Sequence, residues 1–264
     1  MDQDHARQTK TTRNFMGGDR HVGGRTHQQD HLVCLTTPDL RRQFLVVADG
    51  VGGHWGGEMA AQAVIETAKN MFPASLDELA RPAEFLRAFC TQAGLEIQLR
   101  AAQEGEQAYS TVVALLTDGA RAYWAHVGDS RLYCFRDEIL LHQTQDHSLV
   151  QSLFEQGKIT AEERATHPDR NKVLSALGMA SGVQPTLGEM TLTPDLKFLL
   201  CTDGFWAQVG VPEMPAILAA TDLDFAASIW VRQAARRGGS QSDNIALALW
   251  RPPTRTHKGW SLFR

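Results

Sequence analysis

Five aspartates stand beside glycine or small polar residues where an apolar run begins or ends. Leu45-Val46-Val47-Ala48 runs into Asp49-Gly50, Tyr123 to Val127 into Gly128-Asp129-Ser130, and Phe198 to Cys201 into Thr202-Asp203-Gly204. Ser242-Asp243-Asn244 precedes Ile245 to Leu249, and Gln29-Asp30 precedes Leu32-Val33-Cys34-Leu35. Taken singly, each is read first as a turn residue, because Asp bonds nearby backbone N–H groups. Five together change the weighing. If the ends converge, several negative charges share one half-buried place, where repulsion and desolvation would raise their pKa values or unfold the site. A hard divalent cation resolves that conflict: Mg2+ and Mn2+ take carboxylate, carbonyl and water oxygens. Adjacent glycines would let a backbone carbonyl come close. The ten histidines form no HExxH and no His/Cys pairing at zinc spacing. That leaves an all-oxygen site, suited to phosphate oxygens and to activating water.

The elements that must carry these residues are legible as short apolar runs. Phe44 to Ala48, Thr111 to Leu116, Ala122 to Val127, Arg131 to Phe135, Phe198 to Cys201 and Ile245 to Trp250 have strand length and β-branched or aromatic content. Between them, 57–72 places Met59, Ala60, Ala63, Val64, Ala68 and Met71 on one helical stripe, and 82–103 opens on Pro82 and carries Phe85, Leu86, Phe89 and Leu95. A third helix is expected over 147–156, before Gly157. A fourth covers 225–237, with Asp224 as N-cap and Arg236-Arg237 before Gly238-Gly239. Consecutive strands argue against a regular alternating βαβ sheet and for an α+β fold of antiparallel sheets covered by helices.

Residues 1–14 read as a loose tail, 15–250 as one domain without an internal linker, and 251–264, with Pro252-Pro253, as a second tail whose Trp260 and Phe263 are candidates to dock. The 264 residues carry 26 Lys+Arg and 30 Asp+Glu, so a formal charge of −4 offers no global reason to bind nucleic acid. No stretch approaches the roughly 18 consecutive apolar residues of a membrane helix, which excludes membrane insertion by that route. The polar start, Met1 to His5, reads as no secretory signal. Cys34, Cys90, Cys134 and Cys201 form no CxxC pair and read as reduced thiols in a cytoplasmic protein.

In their order along the chain, the motifs resemble those of the metal-dependent serine/threonine phosphatases of the protein phosphatase 2C (PPM) family. Arg25-Thr26-His27-Gln28-Gln29-Asp30 is similar to the first motif, and Asp49-Gly50-Val51-Gly52-Gly53-His54 with Gly57-Glu58 to the bacterial form of the second. Ser110 to Ala114 fits the buried strand, and His126-Val127-Gly128-Asp129-Ser130-Arg131 the most recognisable string. Asp146-His147-Ser148 and Gly157 to Thr160 resemble the segment before the flap, and Asn171 to Gly178 the flap's end. Thr202-Asp203-Gly204-Phe205-Trp206 and Ser242-Asp243-Asn244 close the set. The resemblance implies an αββα sandwich with metals at one sheet end. It implies that Asp49 bridges two Mn2+ or Mg2+ ions, that the Gly50 carbonyl binds one of them, and that Asp203 and Asp243 bind the other. Asp129, with Asp203, matches the position of a third, weaker ion. Asp30 would act through metal-bound water, and Arg25 would grip the phosphate bidentately. Hydrolysis of phosphoserine and phosphothreonine would then need no protein nucleophile, because a hydroxide bridging the cations attacks phosphorus.

Two positions depart from the family. Gln29 stands where Glu is frequent, and Val51 where eukaryotic relatives carry a leaving-group histidine; His54 is read as a loop residue before a general acid. A catalytically weak pseudophosphatase, binding phosphoproteins as a regulatory module, is the alternative, opposed by retention of Asp49, Asp129, Asp203 and Asp243. An Asp-nucleophile phosphotransferase is opposed by Val47, where a second carboxylate would stand. The stand-alone form and the Asp203-Gly204-Phe205-Trp206 variant are similar to phosphatases that oppose Ser/Thr kinases of type VI secretion systems. Their partners would be a kinase and a forkhead-associated-domain protein. Without the motif, Arg25 reads as a surface arginine, His126 as a packed strand histidine, His147 as a bonding residue near the flap, and Trp124 and Trp206 as core or rim aromatics.

Overall fold

The apolar runs are apolar on both faces because both faces are covered. The structure is a computed structural model that describes residues 15–53, 55–72 and 81–253. In strand β3 (Gln43–Gly52), Leu45 and Val47 point to one side and Phe44, Val46 and Ala48 to the other, and all five are buried. Strands β2 (Asp30–Thr36), β5 (Val112–Thr117), β6 (Arg121–Val127) and β9 (Thr186–Thr191) join it in a sheet of order β2-β3-β5-β6-β9. The short β4 (Ala108–Ser110) pairs with the last residues of β3. A second sheet is built from β1 (Met16–His21), β7 (Arg131–Arg136), β8 (Ile139–Gln143), β10 (Leu196–Cys201) and β11 (Ile245–Trp250), in the order β1-β11-β10-β7-β8. All pairings are antiparallel.

Leu45, Val47, Val113, Leu115, Phe198, Leu200, Ala248 and Trp250 fill the space between the sheets. Outside the first sheet lie α1 (Gly56–Met71) and α2 (Pro82–Glu104), burying Ala60, Val64, Phe89 and Ile97 against Phe44 and Val46. Outside the second lie α6 (Met214–Leu218) and α7 (Leu223–Gly238), on Leu199, Leu247 and Leu249. This is the expected αββα sandwich of two antiparallel sheets flanked by helices. Between β8 and β9, residues 144–185 carry α3 (Leu149–Glu155) and α4 (Ala161–Thr166), the latter started by a reciprocal Thr160–Glu163 capping box.

Several local expectations need correcting. The N-cap of α7 is Asp222, which accepts from Phe225 N at 3.1 Å, while Asp224 lies in the first turn and its Oδ1 accepts from Gly18 N at 3.3 Å. Asp49 does not follow a strand but sits inside one, because β4 pairs with β3 out to Gly52. Strands β1, β8 and β9 give no buried apolar run: β1 reads MGGDRH, and β8 and β9 contain no fully buried position. The four cysteines are free; Cys90, Cys134 and Cys201 are buried and Cys34 partly so. Among the described residues no helix is long and apolar enough to cross a membrane. The expectations for residues 1–14, for His54 and for 254–264 with Trp260 and Phe263 lie outside the described residues.

Candidate active site

The five acidic positions come from both sheets and gather at one end of the sandwich. Asp30 and Asp49 are direct partners in the antiparallel β2–β3 register. Asp49 is tethered by its backbone: its N–H donates to Thr111 Oγ1 (3.1 Å), and its carbonyl accepts from Thr111 N (2.8 Å) and Ser110 Oγ (3.1 Å). Thr111 Oγ1 lies 2.7 Å from Ser130 Oγ, so the same threonine fastens the β6–β7 turn that carries Asp129. Gly128 takes φ +103° there, and a Cβ on it would lie 2.6 Å from Thr111 Cγ2. Gly50 is equally constrained, since a Cβ would fall 1.8 Å from the Gly57 carbonyl oxygen.

The second sheet contributes Asp203, the first residue of the short helix α5 (Asp203–Trp206), and Asp243, in the loop before β11. Thr202 Oγ1 donates to Asp30 Oδ2 (2.7 Å) and accepts from Ala246 N (2.9 Å). Asn244 is buried; its Nδ2 donates to the Val22 and His27 carbonyls (2.8 and 2.9 Å) and its Oδ1 accepts from Gln29 N (2.7 Å). That side chain folds the Arg25 loop over the site. Thr202 and Asn244 are signalled in the sequence only by adjacency to Asp203 and Asp243, and Thr111, with no aspartate beside it, carries no such signal.

Arg25, Asp49, Gly50, Asp129, Asp203 and Asp243 all line one cavity of about 560 Å3, with Asn171 and Val173 reaching it from the 144–185 segment. Asp30 is the exception. It is 2% exposed and lies behind Asp49, which suits a supporting position. Burial, then Asp30, Asp203 and Asp129, pushes the Asp49 carboxyl well above the usual range. Burial and Asp203 raise Asp129 to about 8, and burial and Asp243 raise Asp203 to about 6. Burial dominates at Asp30 as well, opposed by the Thr202 hydrogen bond. Among the described residues Arg25 is the only lysine or arginine lining the cavity; its Nη2 lies 2.8 Å from Asp243 Oδ2 at a side-chain exposure of 59%. Mutually repelling carboxylates with a backbone carbonyl among them form the all-oxygen donor set that hard divalent cations take, so the residues fit such ions. As they stand, no three described His, Cys, Asp or Glu side chains form a ready-made metal-binding group.

Around this cleft the remaining candidates hold shape. Trp206 Nε1 donates to the Asp129 carbonyl (3.0 Å), and the Arg131 guanidinium lies 3.5 Å above the Trp206 ring while forming a bidentate pair with Asp146 (2.7 Å each). His126 is fully buried, 4.5 Å ring to ring from His147. His147 Nδ1 accepts from Gly128 N (3.3 Å), and its Nε2 lies 3.0 Å from Thr186 Oγ1. Trp124 is buried in the core between the sheets.

Residues 17–223 match the protein phosphatase 2C family. The serine/threonine phosphatase stp of Listeria monocytogenes is 31% identical over 230 residues, 85% of this chain and 90% of that protein. PstP of Mycobacterium tuberculosis is 32% identical over 209 residues, 78% of this chain, which spans only 40% of that protein's length. A PstP catalytic domain solved with two manganese ions superposes with TM-score 0.75 at 27% identity, over 89% of this chain and 96% of that one. PppA, described as a regulatory component of the type VI secretion system in Pseudomonas aeruginosa, superposes with TM-score 0.73 at 28% identity, over 89% and 96%. The sandwich and its anionic cleft are thus those of a serine/threonine protein phosphatase. The chain belongs to the protein phosphatase 2C family.

Proposed function

We propose that the chain is a metal-dependent phosphatase of phosphoserine and phosphothreonine in proteins, working from the cleft around Asp49. Asp49, the Gly50 carbonyl, Asp203 and Asp243 would hold two Mn2+ or Mg2+ ions, with Asp49 common to both; Asp129 with Asp203 would hold a third, weaker one. When bound, such ions set positive charge against phosphoryl oxygens and acidify water. The chain's own residues do the rest. Asp30 supports Asp49 from behind, Arg25 offers a planar fork to the phosphate at the rim, and Asn244 holds the loop that presents it. Residues 15–250 act as the phosphatase domain, with 1–14 and 251–264 as tails.

The observation that carries the reading is that Asp49, Asp129, Asp203 and Asp243, drawn from both sheets, line a single cavity, where burial and neighbouring carboxylates push the first three up. The test is hydrolysis of p-nitrophenyl phosphate and a phosphothreonine peptide with Mn2+, with Mg2+ and with chelator. Turnover is expected only with the ions, and turnover surviving full chelation would end the reading.

The biological setting we favour is a cytoplasmic enzyme that opposes a bacterial Ser/Thr kinase in type VI secretion control, with the kinase and a forkhead-associated-domain protein as substrates. The likeness to PppA supports it. In a cell carrying such a system, deletion should raise phosphothreonine on both partners, and unchanged phosphorylation would remove this setting while leaving the phosphatase.

A further inference from the structure

Trp55 is 67% exposed, although indole is among the most costly side chains to leave in water. It lines one cavity and stands beside a residue of another. On one side its ring lies 6.1 Å from that of His27, which lines the phosphate cleft. On the other it lines a second cavity of about 500 Å3, between the first turn of α1 and the end of α2, together with Glu58, Met59, Glu104 and Glu106. Glu106 Oε2 lies 3.5 Å from where a Cβ on Gly56 would stand, beside Trp55 at the cavity's edge. The chain then enters β4, where Ala108 pairs with Gly52, which lines the phosphate cleft, so residues 106–108 lead from the lining of one cavity to the strand beside the other. Among the described residues no lysine or arginine pairs with Glu58, Glu104 or Glu106, whereas nearby Glu66 and Glu96 share Arg100.

An exposed indole face beside three carboxylates that no described lysine or arginine neutralises complements a cationic side chain, which can stack on the ring and donate to the carboxylates. A phosphoresidue seated beside Arg25 would send its flanking residues over Trp55 into this second cavity. We infer that the groove of Trp55, Glu58, Glu104 and Glu106 docks an arginine or lysine flanking the phosphorylated Ser or Thr of the substrate protein. The inference rests on reading the Asp49 cleft as the phosphate site.

The full chain with Mn2+ is assayed on p-nitrophenyl phosphate, which is too small to reach the groove, and on three phosphothreonine peptides of equal length whose flanks carry Arg, Ala or Glu. Wild type should favour the Arg-flanked peptide over the Ala-flanked one by roughly tenfold in kcat/KM, carried by KM and shrinking as salt is added. Both Trp55→Ala and the double variant E104Q/E106Q should bring the two peptides toward parity, and E104K/E106K should favour the Glu-flanked peptide. Absence of p-nitrophenyl phosphate turnover in wild type would overturn both the cleft reading and this one. Turnover with equal use of the three peptides, with an apolar flank preferred, or with the Arg preference intact in every variant, would overturn the docking inference alone.

Discussion

Thr202 Oγ1 donates a 2.7 Å hydrogen bond to Asp30 Oδ2 across 172 positions of sequence. The two residues belong to different sheets, at the end of β10 and the start of β2, so this bond closes the sandwich where the carboxylates meet. The acceptor is a buried carboxylate that burial pushes up first and Asp203 and Asp243 push further, and the bond opposes that rise.

Thr202→Val keeps the volume and removes the donor. It should lower unfolding stability by about 1–3 kcal/mol, the usual cost of a buried polar group left without its partner. Denaturant unfolding measures this; an unchanged midpoint would mean that Asp30 is satisfied otherwise.

Asp203→Asn removes one charge from the cleft. Mn2+ affinity should fall about 10- to 100-fold, read by calorimetry, and turnover should fall with it. Full Mn2+-dependent activity in this variant would remove Asp203 from the ligand set. Arg25→Ala should instead cost about 100-fold in kcat/KM on phosphate esters and leave Mn2+ affinity nearly intact.

Gly50, inside β3, and Gly53, just after it, should behave oppositely. Gly50→Ala sets a methyl 1.8 Å from the Gly57 carbonyl, so β3 and α1 must separate, and both melting temperature and activity should drop. Gly53→Ala meets nothing within 4 Å and should melt like wild type. Equal melting of the two variants would contradict this packing.

Burial, then His147, pushes His126 down to about 3, so the folded chain keeps it neutral. Its contribution to stability is complete above the unfolded value of about 6.5. As pH falls below that, the unfolded chain takes up a proton that the folded chain refuses, and stability declines by up to about 1.4 kcal/mol per pH unit. Between pH 7 and 4.5 wild type should therefore lose about 2–3 kcal/mol more than His126→Gln. Parallel curves would mean that His126 protonates within the fold.

Asp49, Asp129, Asp203, Asp243 and Asp30 were legible without coordinates because each interrupts or borders an apolar run, and a carboxylate at such a place needs a reason. The runs at 44–48 and 245–250 were legible because both faces of those strands are buried, which leaves an uninterrupted apolar stretch. Strand β9, with no fully buried position and Gly188 in its middle, carries no such signal; its pairing to β6 is tertiary. The same is true of the N-cap of α7, where Asp222 and Asp224 are equivalent in sequence and packing against β1 decides between them.

The residue types alone determined that this chain needs a hard cation or a buried charge conflict, and local periodicity determined most of the strands and helices. Only the tertiary structure decided that Asp30 is buried against Thr202 outside the cleft's lining, that Thr202 and Asn244 brace the cleft, and that Trp55 stands between His27 and an acidic groove. The reason is range: side-chain chemistry and hydrophobic period are written within a few residues, whereas which carboxylate faces water and which faces a threonine depends on strands that meet only after both sheets have formed.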